Sequence, residues 1–294
     1  MQCPFSDNPG FSRLSSHVAE RRGERADMQD AHVIIEDFSS FVSHLHSSVG
    51  RISYYAVFDG HAGDRASKFA AENVHKKIAS GFPKGELNRV EADMKKCLVD
   101  AYKKSDEEFL KLATQNKPVW KDGTTAISVL VINNTLYIAN LGDSKAILCR
   151  YNPDSQKHTA LPLSKCHNPT DYEERMRIQK AGGNVREGRV MGVLEVSRSI
   201  GDGPYKKLGI SAIPDVKRCQ LTDEDRYIVI ACDGLWKSFS NDEAIKEINC
   251  IIEAKESQVE SESSVWDAAS NHLASEAVRK LSADNVTVLI IKIS

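Results

Sequence analysis

Five aspartates stand at the edges of apolar, strand-like runs. Asp59 follows YYAVF, Asp233 follows YIVIAC, and Asp284 comes just before NVTVLIIKI. Asp143 lies between two strand patterns and Asp30 precedes another, AHVII. Taken one at a time, Asp59-Gly60 and Asp233-Gly234 read as turn dipeptides. Taken together, they place carboxylates at strand ends, and if those ends share one side of a sandwich the charges converge. Converging carboxylates repel unless they are protonated or neutralised by cations. A ligand set made only of oxygens selects hard ions, Mg2+ or Mn2+. His61 follows Asp59-Gly60 directly. Alone it reads as a loop histidine; beside a metal site it suits a general acid near neutral pH. Arg25, within RGERADMQDAH, reads either as part of a solvated basic segment with Arg21 and Arg22 or as a fork that grips phosphate.

The elements that must position these residues follow from periodicity. Strand patterns cover 31–35, 53–58, 125–132, 136–140, 145–151, 227–232 and 285–293. Helical spacing joins Ala66, Phe69, Ala70, Val74 and Ile78, with Gly81 as a stop. It also joins Val90, Met94, Cys97, Leu98, Ala101, Phe109, Leu112 and Ala113. Thr170 with Glu173, and Ser240 with Glu243, have capping-box spacing for two further helices. A last helix carries Trp266, Ala269, Leu273, Ala277 and Leu281, after a polar loop at 255–264. Asn133-Asn134 predicts a tight hairpin and Gly142-Asp143 a second turn. Strands and helices mix without regular alternation, so the fold class is α+β: an antiparallel β-sandwich with helices on both sides. Residues 1–16 read as a flexible arm, and 17–294 as a single domain.

Composition removes several function classes. Of 294 residues, 39 are basic and 41 acidic, a net charge of −2 that gives no footprint for nucleic acid. No apolar run approaches the roughly 18 residues of a membrane span, and the first residues lack the pattern of a secretory leader. Seven cysteines without a C-x-x-C pair suit free thiols in a reducing compartment. The expected location is therefore cytoplasmic, with nuclear entry open. There is no phosphate loop and no nucleophile elbow, and Cys232 reads as buried.

RADMQDAH, VFDGHAG, KDGTTA, ANLGDSKA, RIQKAGG, VSRSIGD, ACDGLW and ADNVTV occur in this order. Together they resemble the metal-dependent serine/threonine phosphatases of the 2C type, over about residues 20–293. KDGTTA, EERMRIQKAGGNV and GVLEVSRSIGDG look closest to the integrin-linked-kinase-associated branch. The resemblance implies a binuclear Mg2+ or Mn2+ centre whose bridged water attacks phosphoserine or phosphothreonine. On that basis Asp59 bridges two metals and the Gly60 carbonyl binds one. Asp233 and Asp284 are further metal ligands, and Asp30 holds a metal-bound water. His61 is the general acid and Arg25 binds phosphate. Asp143 belongs to a third, weaker site. The segment 165–210 is a flap that shapes substrate access. Phosphoproteins are the implied substrates and a kinase such as integrin-linked kinase the implied partner, on a monomeric enzyme.

Two positions depart from the family pattern. Gln29 stands where a glutamate is common, and Lys237 where an aspartate is common. A protonated lysine repels a cation, so a well-filled third site is not expected. The same departures keep open an inactive scaffold that binds a kinase or a phosphoprotein. A phosphoesterase acting on nucleotides or nucleic acid is a third reading, disfavoured by the near-neutral charge.

Overall fold

The computed structural model describes residues 12–256, 261–280 and 282–294. The chain begins with strands β1 (Leu14–Arg21), β2 (Ala31–Ile35) and β3 (Ile52–Phe58), then a two-residue β4 (Gly60–His61). Helices α1 (Arg65–Ser80) and α2 (Leu87–Gln115) follow. Next come β5 (Gly123–Thr124), β6 (Ala126–Ile132), β7 (Thr135–Leu141), β8 (Lys145–Asn152) and β9 (Lys157–Pro162). After α3 (Tyr172–Lys180), short strands β10 (Val185–Arg186), β11 (Arg189–Val190) and β12 (Ile200–Gly201) lead to α4 (Gly203–Lys206). Strands β13 (Asp215–Gln220) and β14 (Asp225–Ala231), helices α5 (Asp233–Trp236), α6 (Asn241–Glu256) and α7 (Glu262–Arg279), and β15 (Val286–Ile293) complete it.

Two five-stranded antiparallel sheets, β1-β15-β14-β8-β9 and β13-β7-β6-β3-β2, pack face to face. Three apolar layers hold them. Tyr55, Val57, Ile127, Val129, Ile228 and Ile230 fill the space between the sheets. Tyr54, Phe58 and Leu130 turn the other way and meet α1 and α2 through Val74, Ile78 and Leu98. Val229 and Ile290 face α6 and α7 through Ile248 and Leu273. Because side chains alternate along a strand, strands buried on both faces must be apolar throughout, as β3, β6 and β14 nearly are. This is the α-β-β-α sandwich that the sequence predicts.

Several expectations need correction. Leu14–Ser16, expected within the arm at 1–16, belong to β1, which pairs along its length with β15. LSSHVAER is polar enough to pass for loop, yet Leu14 and Val18 pack into the sandwich while Ala19 faces the helical side. Residues 1–11 lie outside the described residues, as does Leu281. Thr170 does not cap α3. Its N–H and hydroxyl bond Asn168 Oδ1, and Asp171 takes the cap position. The last helix starts before Trp266, at Glu262, where Ser261 accepts from the Ser264 N–H. Leu112 is exposed rather than buried. Ser240 and Glu243 do form the reciprocal capping box, and Asn133 makes the β6–β7 hairpin with φ +52. Gly142-Asp143, expected as a turn, carries the chain from β7 in one sheet to β8 in the other.

Candidate active site

Strand register brings the predicted carboxylates to one end of the sandwich. Ala31 pairs with Phe58, so Asp30 entering β2 lies beside Asp59 leaving β3. In the facing sheet Ala231 pairs with both Val288 and Lys145. Asp233 beyond β14, Asp284 before β15 and Asp143 before β8 therefore reach the same end. Asp59 is common to two groups of donor atoms lying within 4.8 Å of one another: Asp30, Asp59 and Cys232, and Asp59, Asp143 and Asp233. Asp284 belongs to neither group; its carboxylate meets Arg25 and Lys237 instead.

Backbone close-packing fixes these groups. The Asp59 carbonyl accepts from the Thr125 N–H (2.9 Å) and the Thr124 hydroxyl (3.0 Å). Gly60 is required by space, since a Cβ there would lie 2.3 Å from the Gln29 carbonyl oxygen. At Gly234 it would lie 2.0 Å from that of Asn285. Both Asp-Gly pairs thus serve close approach of neighbouring backbone, not a left-handed turn. Asn285, buried at the mouth of β15, accepts from the Gln29 N–H and donates to the carbonyls of Arg22 and Asp27. It shapes the loop that carries Arg25.

The electrostatics are those of crowded acids. Burial, reinforced by Asp284 and Asp233, pushes Asp30 up to about 7 against a Thr287 hydroxyl bond at 2.7 Å. Burial and Asp233 push Asp143 up to about 7. Asp59 is raised well above its ordinary value, by burial and then by Asp30 and Asp233. Asp30 Oδ1 is buried with no hydrogen-bond partner. Clustered, desolvated carboxylates with an unsatisfied oxygen fit a hard divalent cation. The Cys232 thiol, held protonated by burial, does not suit such an ion.

Two side-chain cations approach this cluster. Arg25 presents Nε and Nη2 to the two Asp284 oxygens, both at 3.0 Å, the parallel geometry that a phosphate would also accept. Lys237 Nζ lies 2.5 Å from Asp233 Oδ2, 3.6 Å from Asp284 Oδ2 and 3.8 Å from Glu195 Oε2. Lys237 therefore meets the carboxylates directly, where the sequence showed only a charge of the wrong sign. Gln29 takes part through its backbone.

His61 stands in a three-stranded ribbon, β12-β5-β4, in which Gly123 pairs with both His61 and Gly201. Its Nε2 is 2.7 Å from Asp202 Oδ2. Burial opposes the imidazolium, but the charge and hydrogen bond of Asp202 outweigh it and raise His61 above its ordinary value. Asp202, Asn285 and Thr287 escaped the sequence reading as site residues. The first lies within VSRSIGD and the others within ADNVTV, but nothing in their spacing shows what they touch.

A cleft of roughly 430 Å³ joins these groups, with Arg25, His61, Lys121, Arg189, Val193 and Tyr205 in its wall. Arg189 and Val193 come from the segment expected as a flap. That segment has its own small core of Ile178, Val190, Leu194, Val196 and Ile210.

Residues 15–286 match the family model described as "Protein phosphatase 2C". The chain is 59% identical over 284 residues to the integrin-linked kinase-associated serine/threonine phosphatase 2C of Bos taurus, covering 95% of this chain and 77% of the relative. It is 58% identical to the Homo sapiens protein of that name, covering 95% and 72%. A crystal structure of serine-threonine phosphatase 2C from Toxoplasma gondii superposes with a TM-score of 0.77 at 20% identity, over 96% of this chain and 95% of that one. That last likeness speaks for the fold.

Proposed function

Given that the chain belongs to the protein phosphatase 2C family of serine/threonine phosphatases, we propose that it hydrolyses phosphoserine and phosphothreonine with two Mg2+ or Mn2+ ions held about Asp59. The observation that carries this reading is the double membership of Asp59 in two compact donor groups, the arrangement a bridging ligand needs. Bound divalent ions supply a nucleophile from water near neutral pH and offset phosphate charge.

The chain's own residues do the rest. Asp59, Asp233 and Asp143 would hold the cations, with Asp284 and Gly60 lining the same cleft. Asp30, tied to Thr287, offers its unsatisfied oxygen to a water. Arg25 exchanges Asp284 for the substrate phosphate and orients it for in-line attack. As the phosphorus–oxygen ester bond breaks, its electron pair leaves on the serine or threonine oxygen, which takes a proton from His61. Lys237 puts a positive charge against Asp233, which would disfavour a further cation there.

Purified protein should hydrolyse a phosphothreonine peptide with Mn2+, lose that activity in EDTA, and lose it again in Asp233→Asn with folding intact. Turnover indifferent to the metal or to this substitution would refute the reading. The contact of Lys237 with Asp233 favours one alternative, an inactive scaffold. Mn2+ titration by calorimetry separates the two, since a scaffold with a blocked site binds none tightly. The name of the Bos taurus relative motivates a kinase of the integrin-linked type as partner. The enzyme is proposed to act as a monomer in the cytoplasm, with phosphoproteins as substrates.

A further inference from the structure

We propose that Asp202 is a positioning residue for the departing-group step, holding the His61 ring so that its other nitrogen faces the substrate. This rests on the phosphatase reading above. The Asp202 carboxylate is 2% exposed. One oxygen, Oδ2, is 2.7 Å from His61 Nε2 and also accepts from the Ser199 hydroxyl at 2.6 Å. With Nε2 committed to Asp202, Nδ1 is the ring nitrogen left for a substrate oxygen or an intervening water. A histidine held in this way has its tautomer and plane chosen for it.

The surroundings look built for that contact. Asp202 has φ +54, a left-handed conformation uncommon outside glycine. Such strain persists only where neighbours over-determine it. Here its N–H donates to the Asp122 carbonyl (2.9 Å). The preceding Gly201 N–H donates to Asp106, which pairs with Lys206 at 2.9 Å. Lys206 also donates to the Ser199 carbonyl. Gly123 lies directly beneath, and a Cβ there would come within 2.2 Å of Asp202 Oδ2 and 2.3 Å of His61 Nε2. The chain leaves out a side chain where the two groups meet. Among the described residues the Asp202 carboxylate bonds His61 and Ser199, which places it to hold the imidazole.

The test compares two leaving groups. A serine or threonine oxygen must be protonated as it departs, whereas p-nitrophenolate leaves as a stable anion. The quantity read is kcat/KM for a phosphothreonine peptide divided by that for p-nitrophenyl phosphate, with Mn2+ present. Asp202→Asn should lower this ratio by at least about 30-fold, within the usual reach of general acid catalysis. His61→Ala should lower it similarly, and the double variant no further, because the two act as one unit. Equal losses on both substrates, an unchanged ratio, or multiplying effects in the double variant would overturn the proposal. Should Asp202→Asn fail to fold, Ser199→Ala carries the test. It loosens the carboxylate and should lower the ratio severalfold, and an unchanged ratio would again overturn it. A wild-type protein inactive on both substrates would instead refute the phosphatase reading itself.

Discussion

Asn285 shows how one side chain can organise a site without touching substrate. Its amide satisfies the Gln29 N–H and the carbonyls of Arg22 and Asp27, and so sets the loop that carries Arg25. Asn285→Ala leaves three backbone groups without this partner, at a cost of about 2–4 kcal/mol. It should also raise KM for a phosphopeptide severalfold while kcat changes less, because the loss falls on phosphate orientation. Denaturant unfolding and steady-state kinetics check both halves. A variant of unchanged stability and KM would remove Asn285 from this role.

At the scale of elements, the segment expected as a flap is tied down by charge as well as by its small core. Glu174 on α3, 3% exposed, accepts from Arg177, Arg198 and Ser197. Burial works against its charge, but these bonds outweigh it and hold the carboxyl well below its ordinary range. A carboxylate depressed in the folded state stabilises above its unfolded value, and that contribution is lost as pH falls through about 4 toward the folded value. Acid should therefore loosen residues 172–198 before the sandwich. Glu174→Gln should cost about 2–4 kcal/mol, less than a fully buried pair because Arg177 is partly exposed. Hydrogen exchange read segment by segment would show it. Faster exchange across the whole chain, with none concentrated in the flap, would contradict a local role.

At the scale of the molecule, two sheets deliver acids to one end, and the fold bears their repulsion. Asp30 and Asp143, both pushed up to about 7, hold protons in mildly acidic solution. Carboxyls raised in the folded state favour folding at low pH, and that contribution is lost as pH rises from about 4 through 7. A divalent cation offsets the charge only where the charge is present. Mn2+ should therefore raise the melting temperature more at about pH 8 than at about pH 5, through preferential binding to the folded state. A shift of equal size at both pH values, or a larger one in acid, would argue against this carboxylate cluster as the binding site.

The sequence by itself determined the layers and which carboxylates stand at the strand ends. Apolar periodicity reports which faces are buried, and aspartates at strand ends need only antiparallel pairing to converge. The eight ordered motifs carried the family. Tertiary structure alone decided three things. It made β1 a strand, because β15 offers an edge that a polar octapeptide can pair with while burying only alternate residues. It brought Asp202 to His61 across 141 positions, a contact set by the Gly123 ribbon. It also laid Lys237 against Asp233 and Asp284, where its charge meets the carboxylates directly. Local patterning reports which face a residue presents; which distant residue meets it there depends on strand register and backbone clearance.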